Sequence, residues 1–176
     1  LLLVLVVPII ACLSVAALAQ DSHAAKLPWQ HGPATVQLGS HASLKLPEGF
    51  GFLDPAGTRA LNIRLQNPPV NKDEYTLADA SGKWVAFFSY EDTGYVKDDQ
   101  KIDADAILDS IREGTVESNK ERRSRGWDEL KVLGWSAKPE YDTELKSLAW
   151  SILAEDVNTH AKVVNYNTRL LGRLGV

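Results

Sequence analysis

This sequence predicts an α+β fold, an antiparallel sheet with one main helix packed on a face. Three observations predict it. Apolar residues alternate with polar ones through much of the chain, which is the period of half-buried strands. Short turns separate these runs, and strands joined by short turns pair antiparallel. One stretch, from Asp103 to Gly126, switches to helical spacing and carries its own start and stop signals.

The elements follow in order. Residues 1–19, LLLVLVVPIIACLSVAALA, carry no charge and end in Ala17-Leu18-Ala19 before Gln20. An apolar run closed by two small residues fits a secretory signal, because the peptidase pocket is narrow at those positions. Cleavage there leaves Gln20 as the first residue. Two other readings stay open: an uncleaved anchor, since about 20 apolar residues span a bilayer, and lipid attachment at Cys12, although apolar residues continue after it. Each reading exports residues 20–176. A basic segment and an initiating Met do not precede Leu1, so a form clipped at its N-terminus is expected.

Residues 20–33 hold Pro and His without periodicity and are expected to form a linker; residues 34–176 form the exported domain. Val36 and Leu38, then Ala42, Leu44 and Leu46, alternate around Gly39-Ser40, which predicts a hairpin closed by Pro47-Glu48-Gly49. Leu61, Ile63 and Leu65 alternate again and predict a strand stopped by Asn67-Pro68-Pro69. Residues 84–90, WVAFFSY, are a further β-rich run, followed by a loop over 91–102.

The helix starts at Asp103, whose carboxylate can accept from the free amides of the first turn. Ile107, Leu108, Ile111 and Thr115 share one face, and Gly126 is the stop. Acidic residues open the helix and Lys120, Arg122, Arg123 and Arg125 close it, an order that complements the helix dipole. Leu130 and Val132 then open a strand running to Trp135 and ended by Lys138-Pro139. Leu148, Trp150, Ile152 and Ala154 share the face of another. Residues 156–159 form a turn, and 160–171 return with Val164, Tyr166, Thr168 and Leu170 on one face. The chain closes on Gly172-Arg173-Leu174-Gly175-Val176, and residues 160–171 are expected to be an exposed edge for want of a following strand.

Charge and composition bound the function. The 176 residues include 19 Lys+Arg and 23 Asp+Glu for a net charge of −4, which disfavours nucleic acid as a partner. Cys12 is the single cysteine, so residues 20–176 have neither a disulfide nor a thiolate and rely on their core. The histidines at 23, 31, 41 and 160 lack metal-ligand spacing, and no metal or other cofactor is expected. No G-x-S-x-G elbow and no phosphate loop occurs, and no catalytic residue is assigned. Asp92, Asp98, Asp99, Asp103 and Asp105 crowd one loop without the ladder of a calcium site, and read as solvated carboxylates feeding a helix start. Of the five tryptophans, Trp84 and Trp150 sit in apolar strands and are expected in the core; Trp29, Trp127 and Trp135 are read as core or rim.

The binding candidates are Gly94, Tyr95, Val96, Lys97, Asp98 and Asp99. Two apolar residues stand together there in a segment otherwise rich in Asp and Lys, where a surface loop places them only to pack or to bind. The favoured reading is a non-catalytic, membrane-associated domain of the cell envelope that binds a protein partner or the membrane surface. The competing reading is a hydrolase using carboxylates such as Asp98, Asp99 and Asp142, which requires them to converge with split pKa values.

A set of phrases carries a resemblance. They are Trp29-Gln30-His31-Gly32-Pro33, then residues 46–53 (LPEGFGFL), then Gly94-Tyr95-Val96-Lys97-Asp98-Asp99, then Pro139-Glu140-Tyr141-Asp142, and residues 164–173 (VNYNTRLLGR). In order and spacing they resemble the bacterial domain of unknown function 2167 family over about residues 29–176. That resemblance implies a signal sequence, an extracytoplasmic domain and a C-terminal apolar anchor. It implies no activity, cofactor or catalytic residue. The family's later strands and anchor are not within residues 29–176, so a form truncated at its C-terminus is expected.

Overall fold

The computed structural model describes residues 26–68, 70, 72–95 and 101–172. They form an α+β fold of three antiparallel sheets and two helices. Where one domain over 34–176 was expected, the described residues divide into two compact units: 26–65, 70 and 72–90 in the N-terminal unit, and 66–68, 91–95 and 101–172 in the C-terminal unit.

In the N-terminal unit, β1 (Gln30–His31), β4 (Phe50–Leu53), β5 (Glu74–Asp79) and β6 (Val85–Ser89) form one sheet in that order. β2 (Ala34–Leu38) and β3 (Ala42–Leu46) form the expected hairpin, paired from Ala34↔Leu46 to Leu38↔Ala42. The alternation at 61–65 is overturned. Those residues lie in α1 (Pro55–Arg64) and its C-cap, because Asp54 accepts from the Gly57 amide at 2.8 Å and Pro55 presets the first helical turn. Leu61 and Leu65 then meet on one face and are buried with Leu27 and Leu53, while Ile63 is exposed. The described part of the expected linker is likewise structured. Leu27 is in that core, Trp29 packs on it, and Gln30–His31 pairs with β4. Trp84, expected in the core, is 42% exposed just before β6 begins. Beneath α1, Asn62 donates to the Glu74 carboxylate at 2.9 Å, and burial pushes that carboxyl above its ordinary pKa.

The C-terminal unit is simpler. α2 (Ala104–Ser124) is the expected helix, with Asp103 as N-cap accepting from the Ala106 amide and Gly126 at φ +69° beyond the end. It packs on one face of a sheet ordered β7 (Leu130–Asp142), β8 (Ser147–Asp156), β9 (Lys162–Leu170). Leu108 and Ile111 of the helix are buried against Trp150 and Ile152 of β8, flanked by Val132, Trp135 and Leu148. β7 does not stop at Lys138-Pro139. It runs on to Asp142 because the proline falls inside an irregularity between Ala137 and Glu140, where the ladder makes no demand on its missing N–H.

The basic end of α2 is occupied internally. Lys120 pairs with Glu117, Arg123 with Glu129, and Arg125 with Glu121, each at 2.6 Å, and Arg125 lies over the Trp127 ring. Arg122 is only 2% exposed and donates to Asp128 O at 3.1 Å and Asn67 Oδ1 at 3.3 Å, which ties residues 66–68 to the helix. Among the described residues no helix is long and apolar enough to cross a membrane.

Candidate functional site

The two faces of the β7–β8–β9 sheet differ in what β8 contributes to each. Leu148, Trp150, Ile152 and Ala154 point toward α2. The alternate residues Ser147, Ala149 and Ser151 point to the opposite face, where they lay a floor of small side chains down the central strand. Across the register, β9 raises Leu170, Thr168 and Tyr166 beside them, and β7 raises Glu140 and Ala137. Small residues between larger ones make a groove of ≈ 190 Å³, lined by Ser151, Ala149, Ala137, Glu140, Tyr166 and Thr168 among others. Its wall is exposed, with Tyr166 at 79%, and Leu170 and Val164 stand exposed on the same face of β9 beyond the groove. Its floor is not. Ser151 is 1% exposed, and its Oγ has no hydrogen-bond partner among the described residues. A buried hydroxyl left unpaired costs free energy unless a ligand or water meets it.

A second groove, ≈ 330 Å³, lies between α2 and β7, with Arg112 and Lys131 on its rim. Its buried polar side chains, Thr115 and Asn119, are already committed. Thr115 Oγ1 donates to Ile111 O at 2.8 Å, and Asn119 both donates to Leu130 O and accepts from Leu130 N. The groove on the open face therefore holds the better chemistry for recognition.

The six candidates from the sequence are placed only in part. Gly94 has φ +69°, a conformation that favours glycine, and Tyr95 is 67% exposed, so its ring does not fold back into a core. Val96, Lys97, Asp98 and Asp99 lie outside the described residues. The loop's start is fixed to β9, because Glu91 pairs with Arg169 at 3.6 Å. Asp142 is exposed and holds a turn, accepting from the amides of Glu144 and Leu145 at 2.8 and 2.9 Å. Among the described residues no group of three or more His, Cys, Asp and Glu side chains comes together. Trp29, Trp127 and Trp135 are each half-buried, and Trp29 and Trp135 pack against cores.

Asp156, at the end of β8, anchors the turn to β9. Burial works against its charge. The Thr159 amide and hydroxyl, the Asn158 amide and the Arg122 charge outweigh burial and hold the carboxyl below its ordinary pKa. Ser151, Tyr166 and Arg122 carried no motif that would single them out. The signal for the first two was the phase of the alternation, Ser147-Ala149-Ser151 against Leu148-Trp150-Ile152, which separates two faces without saying which one is covered.

Fold and site together define an α+β protein with a helix-backed sheet whose other face, among the described residues, carries a groove walled by Tyr166. The chain belongs to the family described as protein of unknown function (DUF2167), whose model matches residues 30–176. No curated protein and no solved structure matches it significantly.

Proposed function

We propose that this chain is a non-catalytic, membrane-associated binding domain of the cell envelope and that it holds a protein partner on the open face of β7–β8–β9. The observation that carries this reading is the pairing of an exposed wall, Tyr166, with a buried, unpartnered hydroxyl, Ser151 Oγ, on the groove floor. Tyrosine is enriched where binding energy concentrates in interfaces, because it brings a large rigid surface with one polar end. A partner side chain that donates to or accepts from Ser151 would satisfy a group the fold leaves unpaired. Export to the envelope rests on the apolar leader and its Ala17-Leu18-Ala19 box.

Site-directed photocrosslinking in intact cells tests the reading. A photoreactive phenylalanine analogue at Tyr166 is expected to yield a discrete adduct with one envelope protein. The same analogue at Val116, exposed on α2, is expected to yield none. Equal capture from both positions, or a chain that fractionates with the cytosol, sinks the proposal.

A further inference from the structure

In the N-terminal unit, α1 meets β5 through polar side chains. Thr58 and Asn62 lie about one turn apart on the helix, and Glu74 and Thr76 lie two apart on the strand. Each pair shares a face, and the two spacings match at about 6–7 Å. Two rungs result. The hydroxyls of Thr58 and Thr76 stand 2.8 Å apart, and Asn62 Nδ2 donates to Glu74 Oε2 at 2.9 Å. All four residues are buried, Glu74 to 5% exposure. The rest of the seat is apolar: Leu61 and Leu65 pack with Leu27 and Leu53, and Val85 and Phe87 of β6 lie against that cluster.

Only one rung carries a titratable group. A pair of hydroxyls keeps its charge state across the ordinary pH range. A carboxyl under a helix does not, and its ionised form gives up water that the protein must replace. The replacement here is thin. Asn62 supplies a hydrogen bond and Lys72 a favourable charge, and burial outweighs both. The other charged groups on the surrounding elements lie at the margin. Arg59 is exposed and pairs with Asp73 at 4.0 Å, Arg64 is exposed, and Asp54 accepts from the Gly57 amide. β4 and β6, which flank β5, hold no titratable side chain, and Ser89 of β6 stands opposite Glu74. Tyr90, just after β6, stacks on His41. Within β5 itself Tyr75 stacks on Phe52, and Asp79 ends the strand beside Ser81.

We propose that the Asn62–Glu74 rung is a proton-dependent latch on α1, closed when the Glu74 carboxyl is protonated and loosened when it ionises. Protonation removes the buried charge and keeps the Asn62 bond, because a carboxylic acid still accepts through its carbonyl oxygen. The folded carboxyl is held above its ordinary value. The stability it lends is therefore fully present below the unfolded-state pKa of about 4.3 and is lost as pH rises through the folded value. The loss falls on α1, because lifting α1 returns Glu74 to water and exposes Leu61 and Leu65. Asp156 in the C-terminal unit has the opposite sign, so acid tightens one unit's helix while it weakens the other unit's turn. The latch goes beyond the groove reading and shares no residue with it, so the photocrosslinking result and the one below fail separately.

Hydrogen exchange of the chain, read by NMR as protection factors corrected for the intrinsic pH dependence of exchange, tests it. From about pH 4 to about pH 8, protection of the α1 amides is expected to fall severalfold. The midpoint is expected to coincide with the titration of the Glu74 carboxyl, followed by its carbon-13 shift. Protection of α2, whose contact with β8 is apolar, is expected to stay level over that range. Glu74→Gln keeps an acceptor for Asn62 and removes the titration, so its α1 protection is expected to be flat and to match the parent's acid value. If Glu74→Gln does not fold, the coincidence of the two midpoints in the parent decides. Parent α1 protection that is independent of pH, a fall shared equally by α2, midpoints that disagree, or a Glu74→Gln chain that retains the parent's fall overturns the proposal.

Discussion

The two faces of the β7–β8–β9 sheet are built from the same three strands, yet they do opposite jobs. Toward α2 the central strand presents Trp150 and Ile152, both buried, and Leu108 and Ile111 of the helix close over them. Away from α2 it presents Ser147, Ala149 and Ser151, then the half-buried Leu153, while Val164, Tyr166 and Leu170 stand exposed on β9. On the first face large central residues build a core. On the second, small central residues between larger flanking ones build a groove. Apolar surface buried against the helix stabilises the fold. Apolar surface left exposed contributes nothing to folding and is available to a partner.

Substitutions can break this comparison, and the largest effect is expected on the covered face. Trp150→Ala should cost about 3–5 kcal/mol in denaturant unfolding, the range for truncating a buried aromatic. Tyr166→Ala, one strand over on the other face, should stay within about 0.5 kcal/mol and instead abolish the envelope crosslink. Comparable losses at both positions would mean that the open face is core after all.

Arg122→Met should come next, at roughly 2–4 kcal/mol, because it deprives the Asp128 carbonyl and Asn67 side chain of a buried donor and removes the positive charge that favours ionised Asp156. Limited proteolysis should then cut near residues 66–68, the segment this guanidinium ties to α2. An uncut, fully stable variant would show that the ties are incidental.

The pH dependence sharpens the same contrast, since Asp156 ends the covered phase of β8. Its carboxyl is held below the ordinary value in the folded protein. The stability it contributes is therefore present above the unfolded-state pKa of about 3.9. It is lost as pH falls through the depressed folded value. Asp156→Asn should lower stability by about 1–2 kcal/mol at neutral pH, with the difference from the parent shrinking as pH falls below the unfolded-state value. A gap constant with pH would rule out the charge as its source. The smallest effect is expected at Tyr95→Ala. With the ring 67% exposed, stability should change by less than about 0.5 kcal/mol, and a loss of several times that would place the ring in a core.

How much of this was legible depends on how local each signal is. Asp103, the stripe Leu108-Ile111-Thr115 and Gly126 describe α2 completely, because cap, period and stop lie within 24 consecutive residues. The β2–β3 hairpin and the β8–β9 turn are legible for the same reason. α1 was misread because Leu61, Ile63 and Leu65 fit a period of two as well as a helix in which 61 and 65 lie one turn apart. The deciding signals were Asp54 and Pro55, several residues upstream. β7 was cut short because a proline normally ends a strand, and only the register with β8 shows the irregularity that accommodates Pro139.

The sequence by itself determined the α+β class, the family, the long helix with its polarity, and the two phases of β8. Each of these is written in neighbours along the chain, where cap chemistry and side-chain period act. Only the tertiary structure decided the rest. It chose which phase of β8 the helix covers and left Ser151 Oγ buried without a partner. It also set Arg122 against Asn67, 55 residues away, and turned the main chain of Lys162, Val164, Tyr166, Thr168 and Leu170 away from β8. The physical reason is that burial and hydrogen-bond satisfaction belong to pairs of residues brought together by folding, and no local pattern records which partner will arrive.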